Sequence, residues 1–179
     1  MTAAPMSMRA VTRCATARET RALGRRLALV AQGGDRIALI GPLGAGKTEL
    51  AKGFAAGLGV LETIDSPSFT LMAEYRGRLP LFHLDLYRLD GAADAFDSGL
   101  LDEREAAGVT IIEWGDRWAA DVDPDRLEVH IDVGGDEVRT IEIIAATLDQ
   151  ARFVAAVADE AASSAAAAAP PHGAPAAER

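Results

Sequence analysis

Asparagine is absent from the 179-residue chain. Without it no Asn-Lys-x-Asp element can form, which excludes a guanine reader of that kind. Cysteine occurs once, at Cys14, so no disulfide can close within the chain. No apolar run approaches the ~20 residues that a membrane-spanning helix needs. The opening "MTAAPMSMRAVTRCATARE" also lacks the continuous apolar core of a secretory signal. These absences predict a soluble, cytoplasmic chain. Aromatic residues make up 5% of the sequence against a hydrophobic content of 49%, so the core must be built mainly from aliphatic side chains and alanine. Lysine is scarce too: of 18 basic residues, Lys47 and Lys52 are the two that are not arginine.

The length suits one domain. The net charge of −9 argues against an unaided grip on DNA or RNA, because neutralising phosphates dominates that affinity. The charge is uneven. Residues 1–60 carry nine basic and three acidic side chains, and residues 61–179 carry nine and twenty-four. Such asymmetry marks either a partner surface or solvated faces of opposite sign.

Thr16-Ala-Arg-Glu19 has the form of a capping box, and Leu23, Leu27 and Val30 follow at helical spacing until Gly33 and Gly34. "RIALIG" then reads as a strand opening onto a glycine-rich stretch, after which Leu50, Phe54 and Leu58 recur every four residues. "LMAEY" and "LPLFHLDLYRL" flank a hairpin turn at Arg76-Gly77-Arg78, with Pro80 favouring a sheet edge or a strand start. "GVTIIEW" is a buried strand ending at an acid, and "DRLEVHIDV" with "EVRTIEII" form a second hairpin around Gly134-Gly135. "DGAADAFDSGLLDEREAAG" shows too little periodicity to separate helix from loop. The fold predicted is α/β, a P-loop NTPase-like sheet with flanking helices and an antiparallel portion. Its domain spans residues 9–146, after a flexible 1–8. Residues 147–179 are expected to hold a helix over 147–160 and then a disordered tail. In that tail ten alanines and three prolines fill the last nineteen residues and His172 is incidental.

Gly41-x-x-x-x-Gly46-Lys47-Thr48 fits G-x-x-x-x-G-K-[ST] in full, between a predicted strand and a predicted helix. Glycines let the backbone approach phosphates, and consecutive N–H groups converge on their oxygens. The following helix adds its positive end, Lys47 reaches the terminal phosphates, and Thr48 can ligate magnesium. Two acids could complete such a site. Alternation in "LFHLDLY" sets His83, Asp85 and Tyr87 opposite Phe82, Leu84 and Leu86, so Asp85 is either a magnesium-shell carboxylate or a surface charge. Glu113 closes an apolar strand, where active-site residues of parallel sheets gather, and is otherwise a strand-end charge in water.

Taken together, "ETRALGRRLA", "GPLGAGKT", "GLGV", "SPSFTLMAEYRGRLPLFHLDLYRL", "GLLDE" and "IIEWGDRW" resemble, in order and from Glu19 to Val133, the TsaE (YjeE) ATPases of bacterial threonylcarbamoyladenosine synthesis on tRNA. The resemblance implies binding of ATP and magnesium, with weak hydrolysis alone that rises with the partner proteins TsaD and TsaB. That pair would hold the tRNA and be reset between turnovers. It places Gly44, Ala45, Gly46, Lys47 and Thr48 on the phosphate loop, Thr48 and Asp85 on magnesium, and Ser68 and Thr70 on a switch-like segment. Glu113 falls on the acid that supports hydrolysis, with Lys47 as the catalytic cation. Trp114 falls on the adjoining aromatic residue, for which core packing is the alternative. Three positions depart from the pattern: Pro42 where an acid is usual, Glu49 where a second Thr is common, and Ser68 in place of Thr. Ser68 keeps the hydroxyl, Pro42 removes one early N–H, and Glu49 puts a negative charge near anionic phosphates. Two other readings are a P-loop small-molecule kinase, for which residues 86–108 offer only Arg88 and Arg104 as lid arginines, and a module in which nucleotide binding drives assembly without turnover.

Overall fold

A computed structural model of the chain describes residues 8–88, 107–118 and 123–158. The segments around "GLLDE", Arg104 and His172 lie outside these residues. Seven strands form one sheet: β1 (Met8–Cys14), β2 (Arg36–Ile40), β3 (Met72–Arg76), β4 (Pro80–Asp85), β5 (Val109–Glu113), β6 (Leu127–Val133) and β7 (Arg139–Ala145). Their order is β1-β7-β6-β2-β5-β4-β3. Strands β4, β5, β2 and β6 run parallel, while β3 on one side and β7 with β1 on the other run antiparallel. The α/β fold with an antiparallel portion is therefore as expected. Both hairpins form, and Pro80 opens β4, where its missing N–H costs the ladder least.

Helices α1 (Ala17–Val30) and α2 (Lys47–Gly57) lie on one face of the sheet. Thr16 caps α1 by accepting from the Glu19 N–H at 3.2 Å, and the Glu19 carboxylate accepts from the Ala15 N–H at 2.7 Å, so the box closes one residue earlier than its standard form. The helices cross closely because glycines leave room. A Cβ on Gly53 would collide with the Arg21 backbone carbonyl, and one on Gly24 with the Leu50 carbonyl. Leu23, Leu27, Leu50, Phe54 and Leu58 fill the core beneath them, with Ile37, Leu39, Ile111, Val129 and Ile143 from the sheet. Residues 151–158 are helical, the helix starting at 151 rather than at the expected 147, and Phe153 and Val157 join the same core. A smaller cluster of Phe82, Leu84, Leu86, Ile112 and Trp118 covers the opposite face.

Strand β1 has no counterpart in the sequence reading, which placed Met8 in a flexible start. Its inward residues Met8, Ala10, Thr12 and Cys14 are small or weakly apolar and alternate with Arg9, Val11 and Arg13. Pairing with β7 from Met8↔Ala145 to Cys14↔Arg139, rather than hydrophobicity, defines it. Buried Asp123 holds the Arg36 guanidinium through two bonds of 2.6 Å, tying the chain before β6 to the start of β2. Among the described residues no helix is long and apolar enough to cross a membrane.

Candidate nucleotide site

The four parallel strands end at one edge, and the chain leaves β2 there through the glycine-rich loop into α2. Gly41 has φ +156°, and a Cβ on it would run into the Ile131 carbonyl of β6. Gly46, at φ +106°, is the N-cap of α2 and supplies no side-chain cap, so the first N–H groups of the helix keep their donor capacity. Leu43, Gly44, Ala45, Gly46, Lys47 and Thr48 line one side of a cavity of about 490 Å³. Across it stand Ser66, Ser68, Asp85, Tyr87, Arg88, Glu113 and Trp114.

Sheet register brings the acids together. Asp85 lies opposite Glu113, and Glu113 opposite Leu39, so the two carboxylates close adjacent strands on the helix-covered face. Glu113 is buried, accepts from the Thr48 hydroxyl at 2.9 Å through Oε2 and meets His83 Nε2 at 2.9 Å through Oε1. Asp85 instead accepts from the hydroxyls of Ser66 and Ser68, the latter at 2.6 Å, and from the Tyr87 N–H at 2.9 Å. Burial alone would raise its pKa, but the three donors outweigh that and hold the Asp85 carboxyl below its ordinary value. Thr48 is thus hydrogen-bonded to Glu113, while Asp85, the acid assigned with Thr48 to magnesium, anchors the Ser66–Ser68 segment.

Lys47 is 4% exposed and folds back on its own loop, donating to the carbonyls of Gly41 at 2.7 Å and Pro42 at 2.9 Å. Its ammonium also sits 3.7 Å from the centroid of the Trp114 ring. Burial lowers the Lys47 pKa, although Glu113, Asp116 and Asp85 pull it the other way. Trp114 packs beside Tyr87 with ring centroids 5.0 Å apart and borders the smaller apolar cluster, so it serves cavity and core at once. Its φ of 60° is left-handed, a cost of about 1–2 kcal/mol for a residue with a side chain. Leu71, whose carbonyl accepts the Asp85 N–H, has φ 64°. Strained backbone thus adjoins both acids, as is common at functional sites.

Of the residues singled out from sequence, Gly44 to Thr48, Ser68, Asp85, Glu113 and Trp114 meet at this cavity. Gly41 holds the loop's entry, and Thr70 is exposed on the turn from Pro67 to Leu71, away from the cavity lining. The negative charge of Glu49 is met by Arg21 and by Lys52 at 3.4 Å, so it points its field at α1 as well as at the loop. Sequence reasoning passed over Ser66 and His83. Both carried a signal at a spacing of two: Ser66 with Ser68 across Pro67, and His83 with Asp85 on one strand face. Among the described residues no three His, Cys, Asp or Glu side chains cluster as a self-sufficient metal site. One hydroxyl and two carboxylates are an all-oxygen set that suits magnesium only when substrate phosphates supply further ligands.

Residues 14–141 match the family model "Threonylcarbamoyl adenosine biosynthesis protein TsaE". A tRNA threonylcarbamoyladenosine biosynthesis protein TsaE from Treponema pallidum is 43% identical over 138 residues, covering 76% of this chain and 99% of its own. Its counterpart from Bacillus subtilis is 40% identical over 128 residues, covering 71% and 80%. A crystal structure of Bacillus subtilis YdiB superposes with a TM-score of 0.67 at 31% identity, covering 87% of this chain and 98% of that one. With its phosphate-loop spelling, its paired acids and these relatives, the chain belongs to the TsaE family of threonylcarbamoyl adenosine biosynthesis proteins.

Proposed function

We propose that the chain is the ATP-binding and ATP-hydrolysing subunit of a cytoplasmic tRNA threonylcarbamoyladenosine modification system, in which it resets a TsaD–TsaB complex between turnovers. The observation that carries the ATPase reading is the joining of Thr48, in the first turn after the phosphate loop, to Glu113, the acid ending the neighbouring strand. In this reading the N–H groups of Gly44 and Gly46 with the start of α2 would hold the β- and γ-phosphates, joined by the Ala45 N–H once it leaves the Pro42 carbonyl that it meets at 3.2 Å. Lys47 leaves its two loop carbonyls for phosphate oxygens, exchanging neutral acceptors for charged ones. Thr48 and Asp85 offer oxygens to magnesium, which when bound neutralises phosphate charge. Glu113 orients the attacking water as its proton acceptor, and Ser68 with Thr70 belongs to the segment that responds to the terminal phosphate.

Glu113 is what separates this reading from a nucleotide-driven assembly module. Lys47→Ala removes charge-assisted bonds worth about 1.5–3 kcal/mol each, roughly 10- to 150-fold in affinity per bond. Calorimetry should register that loss, whereas Glu113→Ala should bind ATP and turn over slowly. Normal biological function in Glu113→Ala alongside loss in Lys47→Ala would favour the assembly module.

A further inference from the structure

His83 is 1% exposed in the middle of β4, a position that aliphatic side chains fill in the neighbouring parallel strands. It pairs with Ile111 in register, which places it diagonally beside Glu113 on the same sheet face. Its Nε2 lies 2.9 Å from Glu113 Oε1, while its Nδ1 is buried without a hydrogen-bond partner among the described residues. A buried imidazole with one nitrogen unmatched costs stability that a leucine would not. What the imidazole supplies in return is a single directed bond to the acid of the site.

An ionised carboxylate only accepts, so His83 Nε2 carries the hydrogen and donates to Oε1, just as the Thr48 hydroxyl donates to Oε2. The two donors come from different elements, β4 and the first turn of α2, and between them they fix the plane of the Glu113 carboxylate. Once the Thr48 hydroxyl turns toward a nucleotide-bound cation, His83 is the tether that remains. We propose that His83 is a positioning residue that holds Glu113 in its working orientation, without itself touching the nucleotide. This inference rests on the reading of Glu113 as the acid that orients water.

Two substitutions test it. His83→Leu fills the space without the donor, and His83→Gln can place an amide N–H near the position of Nε2. Losing a hydrogen bond to a charged group costs roughly 10- to 150-fold. We therefore expect kcat for ATP to fall by that factor in His83→Leu, KM to stay within about threefold, and His83→Gln to recover most of the loss. Wild-type kcat in His83→Leu would overturn the proposal. So would a His83→Gln variant as slow as His83→Leu, or a KM that rises in step with the fall in kcat. If the wild-type chain itself shows no turnover, the ATPase reading fails and the positioning claim is read from structure instead. Crystals of each protein with ADP and magnesium then give the direction of the Glu113 carboxylate, which should rotate away from its wild-type place in His83→Leu and return in His83→Gln; an unmoved carboxylate in His83→Leu would reject His83 as the holder of Glu113.

Discussion

Asp85 shows at the scale of one residue how a carboxylate can be committed before any ligand arrives. Its three donors keep it ionised further into acid than its ordinary pKa of 3.8. A depressed folded-state pKa contributes stability that is fully present above 3.8 and is lost as pH falls through the lower folded value. Asp85→Asn keeps the shape and removes the charge, so near neutral pH it should be less stable by about 1.5–3 kcal/mol, the weight of hydrogen bonds to a charged group. Urea unfolding of both proteins should give a constant difference at neutral and mildly acidic pH that shrinks well below 3.8. A difference that persists unchanged in strong acid would mean that the carboxylate is not the source. Asp85→Asn should also weaken the magnesium dependence of nucleotide binding while the fold survives, which a magnesium titration checks.

Between elements, the contact of α1 with α2 decides where the phosphate loop points, since α2 begins at Lys47 and leans on α1 through Gly53. Gly53→Ala would gain about 1 kcal/mol of helix propensity if the position were free. With the Arg21 carbonyl in the way, overpacking should outweigh that gain and leave a net loss of about 1–3 kcal/mol in urea unfolding. A stabilised Gly53→Ala would contradict the close crossing. Much of this layout was legible in advance, because helix α1, strand β2, helix α2 and both hairpins each carry a local signal in caps, periodicity or turn residues. Glu113 was legible as the end of an apolar run. Strand β1 was not, because Arg9, Val11 and Arg13 alternate with small or weakly apolar residues and only β7 gives that segment a partner. The Thr48–Glu113–His83 chain was not either, since it depends on the register of β4, β5 and β2, which no local pattern encodes.

At the scale of the molecule, the described parts of the basic first third and of the acidic remainder share one sheet, and part of the imbalance is settled between them. Arg36 pairs with Asp123, Lys52 lies 3.5 Å from Asp65, and Arg9 lies 3.4 Å from Glu142. Reversing Arg21 would set two carboxylates against each other at the start of α2, so Arg25, exposed on the same helix, is the cleaner probe of a partner surface. If α1 faces the partner proteins or the tRNA they hold, Arg25→Glu should weaken complex formation, and the weakening should fade as salt screens the surface charges. Unchanged assembly and unchanged stimulation of turnover would remove α1 from that interface. Under the proposed function this cavity hydrolyses ATP and partner proteins accelerate it. The direct test is ATP turnover by the full chain, alone and with TsaD and TsaB, with Lys47→Ala as the blank. Slow turnover that rises with the partners and vanishes in the blank is the predicted result; a formed complex with no turnover above that blank would contradict it.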